Sequence, residues 1–146
     1  MAYEKTEVPV ARSQESLKKL VMAHSGFGIA FVSDRDPVSG AAQEGFHAKV
    51  MIDGKPYTVR IIAKMKTAPK HCTEPQRAQF QEQEERRLWR VLLYYMKNIF
   101  EAADSGVIEF REIMLPYIVV GDKTVAEHVL PRLDELIASP SRLLSA

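Results

Sequence analysis

The stretch from Phe46 to Met65 constrains the fold more than any other part of the chain. Phe46, Ala48, Val50 and Ile52 alternate with polar residues, then Asp53-Gly54 follows, then Tyr57, Val59, Ile61, Ala63 and Met65 alternate again. An Asp-Gly pair readily takes the two positive φ angles of a type I′ hairpin turn. Ile52 then pairs with Lys55, Val50 with Tyr57, Ala48 with Val59 and Phe46 with Ile61. Because side chains alternate with a period of two, the hairpin has two unlike faces. One is apolar and must be buried. The other carries His47, Lys49, Thr58, Arg60 and Lys64, with Lys66 just beyond.

That cationic plate is the main functional lead, and it points to binding. A wet face of Lys, Thr and Arg is ordinary for an antiparallel sheet. What raises this one is the lack of any acidic residue on it between His47 and Lys64, since solvated faces usually mix signs. His47 lies opposite Arg60, so a like charge disfavours its proton. A neutral imidazole beside cations can stack on, or hydrogen-bond to, a nucleic-acid base.

Other segments fill in around the hairpin. Met1–Arg12 reads as an extended arm, and Ser13 as the N-cap of a helix carrying Leu17, Leu20 and Val21 on one side. Gly26 stops that helix, and Phe27, Ile29 and Phe31 alternate as a first strand. Ser33–Gly45 is rich in Asp, Ser, Gly and Pro and reads as a long mobile loop. After a linker, Thr73 caps a long helix from about Glu74 to Ala103, with Pro75 in its first turn, and Asp104-Ser105-Gly106 ends it. Val107–Leu115 is a shorter helix stopped by Pro116, and Tyr117–Val120 a brief strand turned by Gly121-Asp122. Thr124 and Glu127 form a capping box on a last helix, which Pro131 kinks or restarts. Ser139–Ala146 reads as a frayed tail.

The expected fold is therefore a single α+β domain spanning residues 1–146. A small antiparallel sheet of about three strands packs on the long helix, and two shorter C-terminal helices close the other side. On the long helix, Arg86, Arg87, Arg90, Tyr94 and Lys97 share an arc of roughly 100° at 100° per residue. Cations beside an aromatic ring are how single strands are often held. Glu82 and Arg86 also form an ordinary i,i+4 pair, the mark of a plain solvated stripe. Trp89, Leu93 and Phe100 fall at the edge of the helix's wide apolar face, where a subunit contact is one use for them and burial within the chain the other.

Composition excludes little. Twenty basic and 19 acidic side chains give a formal net charge of +1, so electrostatic function depends on distribution rather than sum. Cys72 is the one cysteine, which rules out an internal disulfide. His24, His47, His71 and His128 are scattered, and the adjacent pair His71-Cys72 lacks zinc-site spacing. No phosphate-binding glycine loop, zinc-protease helix or nucleophile elbow occurs, and Glu109 and Glu112 sit singly on a short helix. Neither a catalytic residue nor a cofactor is expected. The polar N-terminus is unlike a secretory leader, and Leu88–Phe100 is too short to span a bilayer, so the expected location is the cytoplasm, without membrane contact.

Arg86-Arg87-Leu88-Trp89-Arg90-Val91-Leu92-Leu93, then Glu101–Phe110, then Ile118-Val119-Val120 with Gly121–Val125, resemble the C-terminal half of a small protein family carried by phages, prophages and mobile elements. The opening Val8-Pro9-Val10-Ala11-Arg12-Ser13 is similar too. That family has no assigned chemistry, and the resemblance implies context only: a mobile-element gene acting in a bacterial cytoplasm. The expected function is a non-enzymatic accessory protein that binds nucleic acid, single strands above all. Its contacts are His47, Lys49, Thr58, Arg60, Lys64 and Lys66 with Arg86, Arg90, Tyr94 and Lys97; His47, or Tyr94 if the long helix borders the plate, stacks on bases. The alternative is a protein-binding module, an inhibitor or adaptor that meets an acidic host protein through the same plate or an apolar surface through Trp89 and Phe100.

Overall fold

The computed structural model describes residues 3–138. Helix α1 (Val10–Ala23) leads into three antiparallel strands, β1 (Gly26–Arg35), β2 (Ala42–Ile52) and β3 (Lys55–Lys64), ordered β1-β2-β3. The hairpin register is the expected one, with Ile52 opposite Lys55, Val50 opposite Tyr57, Ala48 opposite Val59 and Phe46 opposite Ile61. Asp53 and Gly54 carry φ of 51° and 79°, the signs a type I′ turn requires.

Helix α2 (Glu74–Asp104) covers the apolar face of this sheet. Its start is a capping box in which the Gln76 N–H donates to Thr73 Oγ1 at 3.3 Å and the Thr73 N–H to Gln76 Oε1 at 2.9 Å. Gly106, at φ 77°, turns the chain after it. Leu88, Leu92, Met96 and Ile99 meet Phe46, Ala48, Val50, Val59 and Ile61, and Leu17 and Val21 of α1 close the core from the side. Deleting a buried side chain of this size costs about 2–5 kcal/mol, which outweighs the tenths per residue in helix propensity. The core therefore fixes which arc of α2 faces inward.

Trp89, Leu93 and Phe100 are buried within the chain, which removes them as a docking edge. Phe31 meets Trp89 edge-on at 5.3 Å, and Phe100 stacks between His24 and Phe110 at 4.5 and 5.6 Å. The indole N–H of Trp89 donates to the Glu44 carboxylate, whose pKa burial pushes up, against that bond. His24 ties α1 to the end of α2, with Nδ1 at 2.9 Å from the Leu20 carbonyl and Nε2 at 3.1 Å from Asp104.

Two local expectations are corrected. Strands extend into the segment read as a long mobile loop, leaving only a turn at residues 36–41. Asp36 closes it. Its backbone bonds to Ala41 and Gly40, and its carboxylate accepts from the Val38 N–H and the Ser39 hydroxyl. The polar composition there reflects strand ends with wet side chains. Ser13 is also not a cap. Helix α1 starts at Val10, four residues earlier than a Ser13 cap implies and inside the stretch read as an extended arm, behind Pro9, whose carbonyl accepts the N–H groups of Arg12 and Ser13. Val10, Ser13, Leu17 and Val21 share the face turned to the core, so Ser13 is buried and its Oγ has no partner among the described residues.

The C-terminal part runs along the β3 edge. After α3 (Phe110–Met114) and a 3-10 turn (Leu115–Tyr117), Ile118 bridges to Val59, and the two-residue strands β4 (Val119–Val120) and β5 (Lys123–Thr124) pair. The Thr124–Glu127 capping box opens α4 (Val125–Val129). Pro131 then interrupts the helix with a 3-10 turn (Leu130–Arg132) before α5 (Leu133–Ile137), as its missing N–H demands. The tail at 139–146 lies outside the described residues. No helix among those described is long and apolar enough to cross a membrane.

A buried hydroxyl without a partner is destabilising, whereas a lost N-cap costs about 1 kcal/mol. Ser13→Ala is therefore expected to stabilise the fold by about 1 kcal/mol in urea denaturation. A loss of the same size would show that Ser13 caps the helix after all.

Candidate functional site

Two surfaces carry the expected site residues, and the core separates them. The outer sheet face holds His47, Lys49, Thr58, Arg60 and Lys64, with His47 opposite Arg60 as the register requires. Arg86, Arg90, Tyr94 and Lys97 stand on the arc of α2 turned away from the core. The long helix thus does not border the plate; the two surfaces lie back to back.

The outer face is not the acid-free plate that two strands imply. Strand β1 places Asp34 beside Gln43 on the same face, together with Val32, and Ile62 adds a further apolar side chain. Arg60 is held from the C-terminal part. Its Nη2 donates to Glu127 Oε1 at 2.8 Å and to the Asp122 carbonyl at 3.1 Å, leaving the side chain only 20% exposed. Burial pushes the Glu127 carboxyl up, but bonds from Thr124 and Arg60 outweigh it, and the net direction is down. Lys64 pairs with Asp36 at 3.9 Å. Burial first, then Arg60, lowers the pKa of His47. Lys49 is exposed and has no ion pair among the described residues. A groove of about 700 Å³ runs between this face and residues 116–130, with Val32, Ile62, Tyr117 and Leu130 among its walls.

Lys66 leaves the plate altogether. Its N–H donates to the buried Glu84 carboxylate of α2, and its ammonium lies 3.8 Å from Glu4. Glu84 also accepts from Arg87. Burial pushes the Glu84 carboxyl up, and the bonds from Arg87 and Lys66 pull it down further, so it stays an anion that anchors the strand-to-helix linker.

On α2 the cations divide into paired and unpaired among the described residues. Arg86 is consumed, donating to Glu82 at 3.0 Å and to Gln83 at 2.7 Å. Arg90 and Lys97 have no carboxylate partner among the described residues, and each stands 5.5 Å from the centre of the Tyr94 ring. Tyr3 stacks on that ring at 5.2 Å and 12° between planes. The Gln83 amide holds the segment behind Tyr3 by donating to the Glu4 and Thr6 carbonyls, both at 2.9 Å. At 100° per residue, Phe80 falls about 20° beyond the Arg87 edge of this stripe, whereas Arg77 lies about 140° from Arg90, off the stripe. Phe80 has no role in the sequence expectations; its seven-residue spacing from Arg87 is the signal that finds it.

Among the described residues no three His, Cys, Asp or Glu side chains lie where they could hold a metal ion. Cys72 is part-buried, and its thiol donates to the Pro69 carbonyl at 3.0 Å. Glu109 precedes α3 and Glu112 is exposed on it.

Arg60 acts as a clasp between sheet and C-terminal segment. Arg60→Ala is expected to cost about 1 kcal/mol in thermal unfolding, the scale of a part-exposed charged pair. Its affinity for oligonucleotides should stay within about twofold of the parent chain, because a clasp contributes no phosphate contact. Unchanged stability with lost binding would return the site to the sheet.

No family model matches this chain, nor does any curated protein or solved structure.

Proposed function

We propose that the chain is a non-enzymatic nucleic-acid-binding accessory protein of a phage or mobile element that holds single strands along the outward arc of α2. The observation that carries this reading is the Tyr94 ring, flanked by Arg90 and Lys97, which have no carboxylate partner among the described residues, and already stacked by another planar group, Tyr3. A ring of this kind accepts any base on its face, a contact worth about 1–3 kcal/mol. Flanking cations take phosphates and release counterions. Double-stranded nucleic acid keeps its bases stacked inward, so a stacking ring selects unpaired strands. Tyr3 occupies the place a base would take, and the bound strand displaces it.

A second reading has its own observation. Leu130, Leu133, Leu136 and Ile137 are exposed on α5 and the turn before it, where α5 packs chiefly on that turn among the described residues. Contiguous apolar surface of this kind marks protein contacts, either with a host protein or between copies of the chain.

Fluorescence-anisotropy titrations with single- and double-stranded oligonucleotides at several salt concentrations separate the two. Tyr94→Ala is expected to weaken single-strand binding about 5- to 100-fold. Arg90→Gln and Lys97→Gln are each expected to flatten the log–log salt slope by about 1. Binding that ignores all three changes overturns the α2 site. Absence of any strand binding, with association that depends on protein concentration, favours the second reading.

A further inference from the structure

A cavity of about 410 Å³ opens between the β1–β2 turn, the linker after β3 and the first turns of α2. That volume falls in the range of small-ligand sites. Arg35, Lys66 and Arg77 line it, and no carboxylate does. Phe80 forms its aromatic wall.

The three cations differ in how they are held. Arg35 donates from Nη1 to the Gly40 carbonyl at 3.0 Å, which fixes its guanidinium at the rim and leaves the remaining N–H groups to point elsewhere. Lys66 has a loose pair with Glu4 at 3.8 Å, both side chains being about half exposed, and its charge also acts on the Glu84 carboxylate. Arg77 is half-buried, and its guanidinium has neither an ion pair nor a hydrogen bond among the described residues. A partly desolvated cation without a counter-charge costs free energy, and an entering anion offsets that cost. Two guanidinium forks and an ammonium match the several oxygens of a phosphate better than the two of a carboxylate.

We propose that this cavity takes a phosphomonoester carried by a nucleotide, with the base against Phe80. The nucleotide is either free or the phosphorylated end of a strand; in the latter case the proposal rests on the nucleic-acid reading above. The cavity lies at the first turns of α2, with Phe80 about 20° outside the Arg87 edge of the stripe, so a strand followed toward the start of the helix brings its end near the cavity without crossing Arg77.

Isothermal titration of the full chain distinguishes the sources. The probes are a nucleoside 5′-monophosphate, its parent nucleoside, and one single strand with a 5′-phosphate, a 3′-phosphate or hydroxyl ends. The monophosphate is expected to bind at least about tenfold tighter than the nucleoside, the scale of a charge-assisted bond, or a phosphorylated strand to exceed the hydroxyl strand by that factor. Arg77→Gln should abolish this advantage while leaving the hydroxyl strand's affinity unchanged, and Arg35→Gln should reduce it, circular dichroism confirming that both variants are folded. Monophosphate binding that Arg77→Gln removes, with no strand bound at all, upholds the cavity and rejects the strand reading. Strands that bind equally with or without a terminal phosphate, alongside a monophosphate no tighter than its nucleoside, uphold the strand reading and reject the cavity. An advantage that survives Arg77→Gln also rejects it.

Discussion

The register of the β2–β3 hairpin is the constraint from which the rest follows. Asp53 and Gly54 adopt positive φ, and from that turn every pair back to Phe46–Ile61 is determined. A slip by one residue would turn Phe46, Val50 and Ile61 to water and bury Lys49 and Arg60. With the register set, one face must be covered, and the apolar arc of α2 covers it. Turning that arc inward leaves Arg90, Tyr94 and Lys97 outside. The candidate stripe is thus a geometric consequence of how the core is packed.

Charge distribution then separates two cationic surfaces of unequal promise. On the sheet, Arg60 is committed to Glu127 and the Asp122 carbonyl, and Lys64 has Asp36 nearby. On α2, one carboxylate that could neutralise the stripe, Glu84, is buried and already engaged by Arg87 and the Lys66 N–H. Arg90 and Lys97 interact instead with a ring, which leaves their charge available to phosphate. A near-neutral chain can therefore still carry a directed positive surface.

Local chemistry was legible in the sequence; contacts between distant segments were not. The Asp53-Gly54 turn, the Thr73 and Thr124 caps and the break at Pro131 each depend on a few neighbouring residues, and each stands where the spacing predicts. Ser13 misled because a hydroxyl ahead of an apolar run reads as a cap, while the Val10–Leu17–Val21 spacing that buries it competes for the same residue. Asp34 and Glu127 reach the plate from a third strand and from a helix 67 residues beyond Arg60, and no pattern within the hairpin reports either. The α2 arc was visible as a periodicity, but the want of carboxylate partners for Arg90 and Lys97 among the described residues, and the stacking by Tyr3, required coordinates.

Chemical-shift mapping by NMR tests the central claim most directly, because it reports each backbone amide while a single strand is titrated in. The account predicts shifts clustered along the outward arc of α2 and at Tyr3–Thr6, with Lys49, Thr58 and Arg60 unmoved. Shifts confined to the outer sheet face, or to the C-terminal residues 130–137 alone, would contradict it.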